Sequence, residues 1–299
     1  MSDWLKSLHG RTAVADGAWS TELWARGVPR SQPTEAANLT HAHLVSALAQ
    51  EYLAAGARFL STNTFGANRI RLSRKAGGAT VVQLNAAGAA LARKAADEHR
   101  ARVMGVIGPS GALLAISEVS AGELHDAFDE QIRALADGGV DAILLETFTE
   151  LDEIRIAIAA AKESAKLPVV ACMSFDSGPQ RTRTMMGVEA DHCAAALVDA
   201  GADAIGCNCG AGVGHALPAV VALRANASTP LWVKPSAGLP DLEEGRPVYR
   251  CTPDEFVAPI PTLVEAGANI LGGCCGVGPE HIRRLAAMLG SRGKAKRKS

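Results

Sequence analysis

The chain has 299 residues, of which 48% are hydrophobic and 20% are charged, and its formal net charge is -1. This composition is ordinary for a globular protein with a sizeable core, and the near-neutral charge gives no general attraction to nucleic acid or to an acidic membrane, so neither is expected as a partner. No apolar stretch reaches the length of a membrane span and the first residues lack the apolar segment of a signal peptide, which indicates a cytoplasmic protein.

A short phrase of small residues recurs along the chain, at 55–59, 138–143, 200–205 and 266–270. Each copy follows an Ala-rich helical pattern and precedes a short apolar run. The glycine of the phrase fits the C-cap of a helix, and the run fits a strand buried on both faces, so each copy marks a junction from helix to strand. Strands that alternate with helices favour a parallel sheet.

Eight strands and eight helices are predicted in alternation. The strands lie near 12–16, 58–63, 103–108, 142–146, 168–174, 204–208, 231–234 and 269–273, and the helices near 41–54, 81–99, 121–137, 151–166, 189–200, 213–225, 253–265 and 279–289. This count predicts an α/β fold, a single-domain (β/α)₈ TIM barrel over residues 1–290, with a basic flexible tail over 291–299. A doubly wound open sheet is the runner-up, but its Gly-x-Gly-x-x-Gly turn does not follow the first strand.

Polar residues cluster at the predicted C-terminal ends of these strands, which is where TIM barrels carry their active sites. Each strand is apolar until its last residues and then becomes polar, a change that packing alone does not explain. Cys209 ends the sixth strand, and Cys274 and Cys275 end the eighth. The three thiols are therefore expected to meet over the mouth of the barrel. The polar strand ends are Asp16-Gly17, Asn63-Thr64, Gly108-Pro109, Glu146-Thr147, Asn208-Cys209, Lys234-Pro235 and Cys274-Cys275.

Three cysteines in one place suggest a metal site. The chain has seven cysteines, an odd number with several clustered, which does not suggest a secreted disulfide framework. Zinc takes thiolates in tetrahedral geometry, and three protein ligands leave a fourth position for substrate, as in catalytic zinc sites. Adjacent cysteines reach one ion only if the backbone turns sharply, which Gly272, Gly273 and Gly276 permit. The alternative is that paired cysteines are small core residues.

Seven short motifs are spread over nearly the whole chain: Asp16-Gly-Ala-Trp-Ser-Thr-Glu22, Asn38-Leu-Thr-His41, Thr62-Asn-Thr-Phe-Gly66, Ile107-Gly-Pro109, Glu146-Thr-Phe148, Asn208-Cys-Gly210 and Gly272-Gly-Cys-Cys-Gly276. They resemble the motifs of the homocysteine S-methyltransferase family, in the family's order. Three further segments look closer to the homocysteine-binding module of cobalamin-dependent methionine synthase and to bacterial proteins similar to betaine–homocysteine methyltransferase: Thr184-Met-Met-Gly187, Lys234-Pro-Ser-Ala-Gly-Leu-Pro240 and Arg246-Pro-Val-Tyr249.

The resemblance implies a zinc-dependent thiol methyltransferase that transfers a methyl group to homocysteine and forms methionine. It implies that Cys209, Cys274 and Cys275 hold Zn²⁺, whereas Cys207 falls on a position that is usually apolar and is interpreted as core. The ammonium of homocysteine is then expected on Asp16 and Glu146, and its carboxylate on backbone amides around Gly17 and Ala18. Asn63, in the second-strand motif, completes the predicted substrate site. The alternative for both carboxylates is a buried structural role.

The proposed chemistry agrees with the residue types. A free thiol with a pKa near 8.5 is mostly protonated at neutral pH, and coordination to zinc deprotonates it. No Ser-His-Asp arrangement is then needed, and the histidines are interpreted as surface or capping residues.

The methyl donor is left open between several candidates. Family members use betaine, S-methylmethionine or a methylated corrinoid supplied by another domain or protein. A quaternary ammonium donor favours an aromatic cage, and only 4% of this chain is aromatic, although Trp19 or Trp24 could serve in one. A corrinoid or betaine donor is therefore favoured over S-methylmethionine. A corrinoid donor requires a partner protein, because no second domain remains in this chain to carry it.

Two alternatives belong to other functional classes. One is a barrel that binds zinc and thiols without methyl transfer. The other is an aldolase that uses Lys234, at the end of the seventh predicted strand, to form a Schiff base.

Overall fold

Eight parallel strands form the inner layer of the structure, a computed structural model that describes residues 3–8, 10–74, 78–244 and 246–296. Their bounds are β1 (Ala13–Val14), β2 (Phe59–Ser61), β3 (Arg102–Ile107), β4 (Ala142–Phe148), β5 (Val169–Met173), β6 (Ala204–Cys209), β7 (Leu231–Pro235) and β10 (Ala268–Leu271). A short antiparallel hairpin, β8 (Asp241–Glu243) and β9 (Arg246–Val248), lies in the connection between β7 and β10.

The strand order closes the sheet into a barrel. Strands β2 to β7 follow one another in chain order, β10 pairs with β7, and β1 pairs with β10, all in parallel. A parallel bridge between Ala15 and Phe59 joins the two ends of the sheet. The prediction of a (β/α)₈ TIM barrel is confirmed.

Helices surround the strands and cover their outer faces. The α-helices are α1 (Asp3–Lys6), α2 (Ser20–Ala25), α3 (Ala37–Thr40), α4 (Ala42–Ala54), α5 (Arg69–Ser73), α6 (Val81–His99), α7 (Ala121–Asp137), α8 (Leu151–Ser164), α9 (Ala190–Asp199), α10 (Leu217–Asn226), α11 (Pro253–Val257), α12 (Ile260–Glu265) and α13 (Pro279–Lys296). Short 3₁₀ turns span Thr34–Ala36, Leu114–Ile116 and Val213–His215. Within the described residues, no helix combines the length and apolarity that a membrane crossing requires.

Three predicted helices differ from the observed ones. The helix predicted over 213–225 starts with the 3₁₀ turn Val213–His215, and α10 begins only at Leu217. The helix predicted over 253–265 is divided into α11 and α12, because Pro259 and Pro261 lack backbone N–H donors and interrupt the helical hydrogen bonds. The last helix, predicted to end near 289, continues to Lys296. The tail predicted over 291–299 thus overlaps α13, and its residues 297–299 lie outside the described part of the chain.

Alternation along the strands separates two cores. One set of side chains packs outward against the helices, and the other fills the barrel interior, as expected for residues that alternate between the faces of a sheet. Interior residues include Phe59, Met104, Leu144, Cys172 and Trp232. The interior is thus a packed apolar layer on which a polar site can rest.

Candidate metal centre and substrate site

The interior face of the barrel becomes polar at the C-terminal ends of the strands. Two positions beyond the apolar interior residues of β2, β4 and β7 come Ser61, Glu146 and Lys234, and Asn208 occupies the matching place on β6. The period of two that buries the apolar layer therefore directs these four side chains to the barrel mouth.

Cys209, Cys274 and Cys275 come together at this mouth. Their sulfur atoms lie within 4.8 Å of one another, and the Sγ atoms of Cys274 and Cys275 are 3.9 Å apart. In the described part of the chain this is the only group of three or more Cys, His, Asp or Glu residues with such spacing. Tetrahedral zinc with Zn–S bonds of about 2.3 Å needs sulfur atoms about 3.8 Å apart. The three-thiol centre therefore fits Zn²⁺ with small adjustments.

Unusual backbone conformations bring the three thiols together. Cys209 has φ +63° and is followed by Gly210 at φ +71°, so β6 ends in a left-handed turn that strict alternation would not produce. Gly276 has φ +77° after the cysteine pair. A Cβ atom on Gly273 would lie 2.1 Å from Val277, so the chain can turn back here only with glycine at that position.

The thiols raise one another's pKa. The hydrogen bond with Cys274 raises the pKa of Cys209, and the hydrogen bond with Cys209 raises the pKa of Cys275 to about 12, with burial adding to both effects. Three thiolates in a small volume repel one another unless a cation lies between them. The donor set thus favours a divalent, thiophilic cation such as Zn²⁺.

Asn208 connects the three-thiol centre to β4. Its Oδ1 accepts the backbone N–H of Thr147 at 2.7 Å, and its Nδ2 donates to Thr147 Oγ1 at 2.6 Å. Nδ2 also lies 3.9 Å from Cys274 Sγ. Thr147 has φ +68°, an outlier for a β-branched residue, beside a register shift in β4. This bulge sets the direction of the preceding side chain, Glu146.

Asp16 is completely buried and its carboxylate is fully hydrogen-bonded. Oδ2 accepts the backbone N–H of Ser61 at 2.6 Å and the indole N–H of Trp19 at 3.0 Å. Oδ1 accepts the Ser61 hydroxyl at 2.9 Å and Lys234 Nζ at 2.8 Å. Each oxygen atom thus has two donors from the protein itself.

Glu146 is the more open of the two predicted carboxylates. Its side chain is 14% exposed, whereas that of Asp16 is 0% exposed. Its Oε2 lies 4.0 Å from Lys234 Nζ. Burial raises the pKa of Glu146, Lys234 lowers it, and Asp16 raises it, with a net shift upward from its ordinary value.

Gly17 and Ala18 lie in a tight passage beside Asp16. A Cβ atom on Gly17 would meet the carbonyl oxygen of Val277 at 2.1 Å, so only glycine fits. The amide N–H of Ala18 donates to the same carbonyl at 2.9 Å, and its own carbonyl accepts the Tyr52 hydroxyl at 2.6 Å. The Ala18 amide, predicted to hold the substrate carboxylate, is thus engaged within the protein.

Asn63 also uses its amide within the protein. Its Nδ2 donates to the carbonyl of Thr34 at 3.0 Å and to Asn38 Oδ1 at 3.0 Å. These bonds attach the segment after β2 to the 3₁₀ turn at Thr34 and to α3. The contribution of Asn63 to substrate binding stays a prediction.

Several neighbours of the site were not predicted in their observed roles from the sequence. Ser61 and Trp19 complete the contacts of Asp16. The ring of Tyr249, after β9, lies against Gly276, and burial and the nearby thiol of Cys275 raise its pKa. Tyr249 follows a hairpin with no hydrophobic periodicity, so the sequence pattern did not place it beside the thiols.

Fold and site together define a TIM barrel with a three-thiol candidate metal centre at its mouth, next to a buried carboxylate site. The chain belongs to the homocysteine S-methyltransferase family, whose model matches residues 13–289. The prediction of the family is confirmed.

Relatives and solved structures agree with this assignment. The methionine synthases of Mycobacterium leprae and Mycobacterium tuberculosis are 31% and 32% identical to this chain over 96% of its length. The chain spans only 25% of the length of these curated relatives. The metallated form of the homocysteine methyltransferase MmuM from Escherichia coli has the same fold, with a TM-score of 0.79 at 24% identity, covering 95% of this chain and 99% of that chain.

Proposed function

We propose that the chain transfers a methyl group to the thiol of homocysteine and forms methionine, with Zn²⁺ bound by Cys209, Cys274 and Cys275. The observation that carries this proposal is the group of three thiols within 4.8 Å at the barrel mouth, next to the partly exposed Glu146. Membership of the homocysteine S-methyltransferase family supports the same reaction.

Zinc, when bound, would lower the pKa of a coordinated thiol so that it reacts as a thiolate near neutral pH. The residues of the chain would position the substrate. Three protein ligands would leave a fourth position on the ion for the substrate thiol, and Glu146 would accept the ammonium group of homocysteine. The bulge at Thr147 and its pair of hydrogen bonds with Asn208 would hold these two groups at a constant separation.

The methyl donor that we propose is a methylated corrinoid carried by a partner protein. A quaternary ammonium donor such as betaine favours an aromatic cage. The two tryptophans considered for a cage have different contacts: the indole N–H of Trp19 donates to Asp16 at 3.0 Å, whereas the ring of Trp24 already has a cation, the guanidinium of Arg30, 4.9 Å from its centroid. The similarity to methionine synthases supports the same choice.

A donor panel tests this function. Zinc-loaded protein is incubated with homocysteine and with methylcobalamin, betaine or S-methylmethionine, and methionine is measured. We expect methionine in the methylcobalamin reaction and none when Cys209 is replaced by Ala. If methionine forms only with betaine or only with S-methylmethionine, that compound is the methyl donor and the corrinoid proposal is wrong. Zinc and homocysteine binding without methionine from any donor would favour the barrel that binds zinc and thiols without methyl transfer.

The aldolase alternative is disfavoured by the state of Lys234. Burial lowers its pKa, but the nearby carboxylates of Asp16 and Glu146 outweigh this effect and raise the pKa above its ordinary value. A Schiff-base lysine has to be deprotonated to attack a carbonyl. Lys234 is instead a buried cation paired with Asp16 at 2.8 Å.

A further inference from the structure

We propose that Lys234 is a positioning residue that neutralises Asp16 and leaves Glu146 as the carboxylate that receives the ammonium of homocysteine. This inference deepens the proposed function and rests on it. The family resemblance implies one shared role for the two carboxylates, whereas their contacts in this chain imply two different ones.

Asp16 has no vacant acceptor position for a substrate. Its two carboxylate oxygens accept four hydrogen bonds, from the Ser61 amide and hydroxyl, the Trp19 indole and Lys234. A carboxylate oxygen has about two lone-pair positions, so four donors fill the group. An ammonium group would have to displace one of these buried donors.

Lys234 occupies the position that a substrate cation would take beside Asp16. An ammonium has three N–H donors. One of them bonds to Asp16 Oδ1 at 2.8 Å and one to Ser61 Oγ at 3.1 Å. Nζ also lies 4.0 Å from Glu146 Oε2, too far for a hydrogen bond but close enough for an ion pair. The lysine is thus anchored on Asp16 and acts on Glu146 by charge.

The charges of the three residues leave one negative charge for the substrate. Asp16 and Lys234 form a neutral pair, and Glu146 retains a charge that the ammonium of homocysteine can balance. The charged and titratable groups that face Glu146 are Lys234 on β7, Asp16 after β1, and the thiols of Cys172 on β5 and Cys274 after β10. Lys234 is the only cation among them, and its charge favours the ionised form of Glu146 against the opposing effects of burial and Asp16.

The test compares homocysteine with 4-mercaptobutanoate, which has the same chain, thiol and carboxylate but no ammonium. The ratio of their affinities, measured by calorimetry on zinc-loaded protein across a pH series, isolates recognition of the ammonium. The variants are Glu146→Gln and the double variant Asp16→Asn with Lys234→Met. The double variant removes the buried pair as a unit, because Lys234→Met alone leaves a buried carboxylate without its counter-ion. Zinc content and the Tm of the metal-free variants report on the fold.

We expect the parent to prefer homocysteine by about ten- to a hundredfold, the range of a charge-assisted hydrogen bond. Glu146→Gln should lose this preference at every pH and keep its zinc. The double variant should retain most of the preference near about pH 8 and lose it at a higher pH than the parent on acidification, because the loss of Lys234 raises the pKa of Glu146 more than the loss of Asp16 lowers it.

Three results would overturn the inference. If the double variant loses the preference near about pH 8 as completely as Glu146→Gln, Asp16 shares the ammonium. If its pH profile coincides with that of the parent, Lys234 has only a structural role. If the parent binds both thiols equally, the ammonium is not recognised, although methyl transfer itself can still stand. A parent that binds neither thiol would refute the proposed function as well.

Discussion

Cys207 and Cys209, two positions apart on β6, have different environments because the backbone is left-handed at Cys209. Cys207 is 6% exposed and packs in the core between the strands and the helices. Cys209 has a left-handed backbone, and its thiol joins those of Cys274 and Cys275. Left-handed backbone at a residue other than glycine costs of order 1 to 3 kcal/mol and persists where its surroundings impose it, often at functional sites.

The first prediction concerns this pair of cysteines. Cys209→Ala should abolish stoichiometric zinc binding, because two thiolates remain where the centre needs three. Cys207→Ala should keep about one zinc per chain. Metal analysis of the purified variants measures both. Full zinc content in Cys209→Ala would show that the ion lies elsewhere.

Gly276 is the second test at a single position. A Cβ atom there would lie 2.2 Å from Cγ of Tyr249, and the backbone has φ +77°. Gly276→Ala should therefore displace the Tyr249 ring and strain the turn that carries Cys274 and Cys275, with weaker zinc binding as the result.

Competition with a chromophoric chelator measures that zinc affinity. Gly214→Ala is the matched control, since nothing lies within 4 Å of a Cβ atom at that position and no positive φ is required. Equal zinc affinity in the two variants would show that the turn at Gly276 does not shape the metal centre.

At the scale of elements, hydrogen bonds of the Asn208 side chain join the ends of β4 and β6. These two strands are separated by β5, so the hydrogen bonds between neighbouring strands do not connect them directly. Asn208 on β6 and Thr147 on β4 exchange two hydrogen bonds, of 2.7 and 2.6 Å. Thr147 lies beside Glu146 and Asn208 beside Cys209, so this pair of bonds sets the separation between the carboxylate and the three-thiol centre. Substrate recognition and metal binding are thereby linked through two strand ends.

Asn208→Ala should therefore affect both stability and substrate affinity. It leaves the N–H of Thr147 without its acceptor, which should lower the free energy of unfolding by about 1 to 3 kcal/mol. Release of the bulge should also raise the KM for homocysteine more than it changes zinc content. Denaturant unfolding and steady-state kinetics measure the two effects. Asn226→Ala, which loses one exposed bond at the end of α10, is the control and should change neither.

The strands and long helices were predictable because their signals are local. Helices α6 and α7 have the predicted bounds, since each begins at a capping box, at Thr80 and Ser120, and continues with an apolar stripe on one face. The hairpin of β8 and β9 was not predicted. Its strands are mostly exposed, so no burial imposes an apolar alternation on the sequence.

The proximity of the three thiols was predictable from the sequence, but the contacts around them were not. The barrel topology brings the ends of β6 and β10 to the same mouth, and the glycines beside the cysteines indicated the sharp turns that direct the three thiols toward one another. The pairing of Lys234 with Asp16 joins residues 218 positions apart and depends on side-chain directions within the barrel. The sequence placed Lys234 at a strand end but did not distinguish a buried counter-ion from a nucleophile.

At the scale of the whole molecule, the metal centre and the core are separate. The barrel interior and the layer between strands and helices are filled with apolar side chains, whereas the three-thiol centre lies at the ends of the strands. We therefore expect the fold not to depend on the ion, in contrast to small domains in which metal binding supplies the folding free energy. Removal of the metal should leave the secondary structure intact and change the chemistry at the mouth.

The number of reactive thiols in the native, metal-free and unfolded protein tests whether the metal centre and the core are independent. The chain has seven cysteines, and Cys172, Cys193 and Cys207 are buried, so a reagent in solvent cannot reach them in the native fold. In zinc-loaded native protein at neutral pH, a chromogenic disulfide reagent should react rapidly only with the partly exposed Cys251. Chelation of the metal should free the three cysteines of the centre and bring the count to four, with an unchanged far-UV circular dichroism spectrum. Unfolding in denaturant should bring it to all seven. A direct rise from one to seven on chelation would mean that the metal holds the fold together, and the separation of core and metal centre would be wrong.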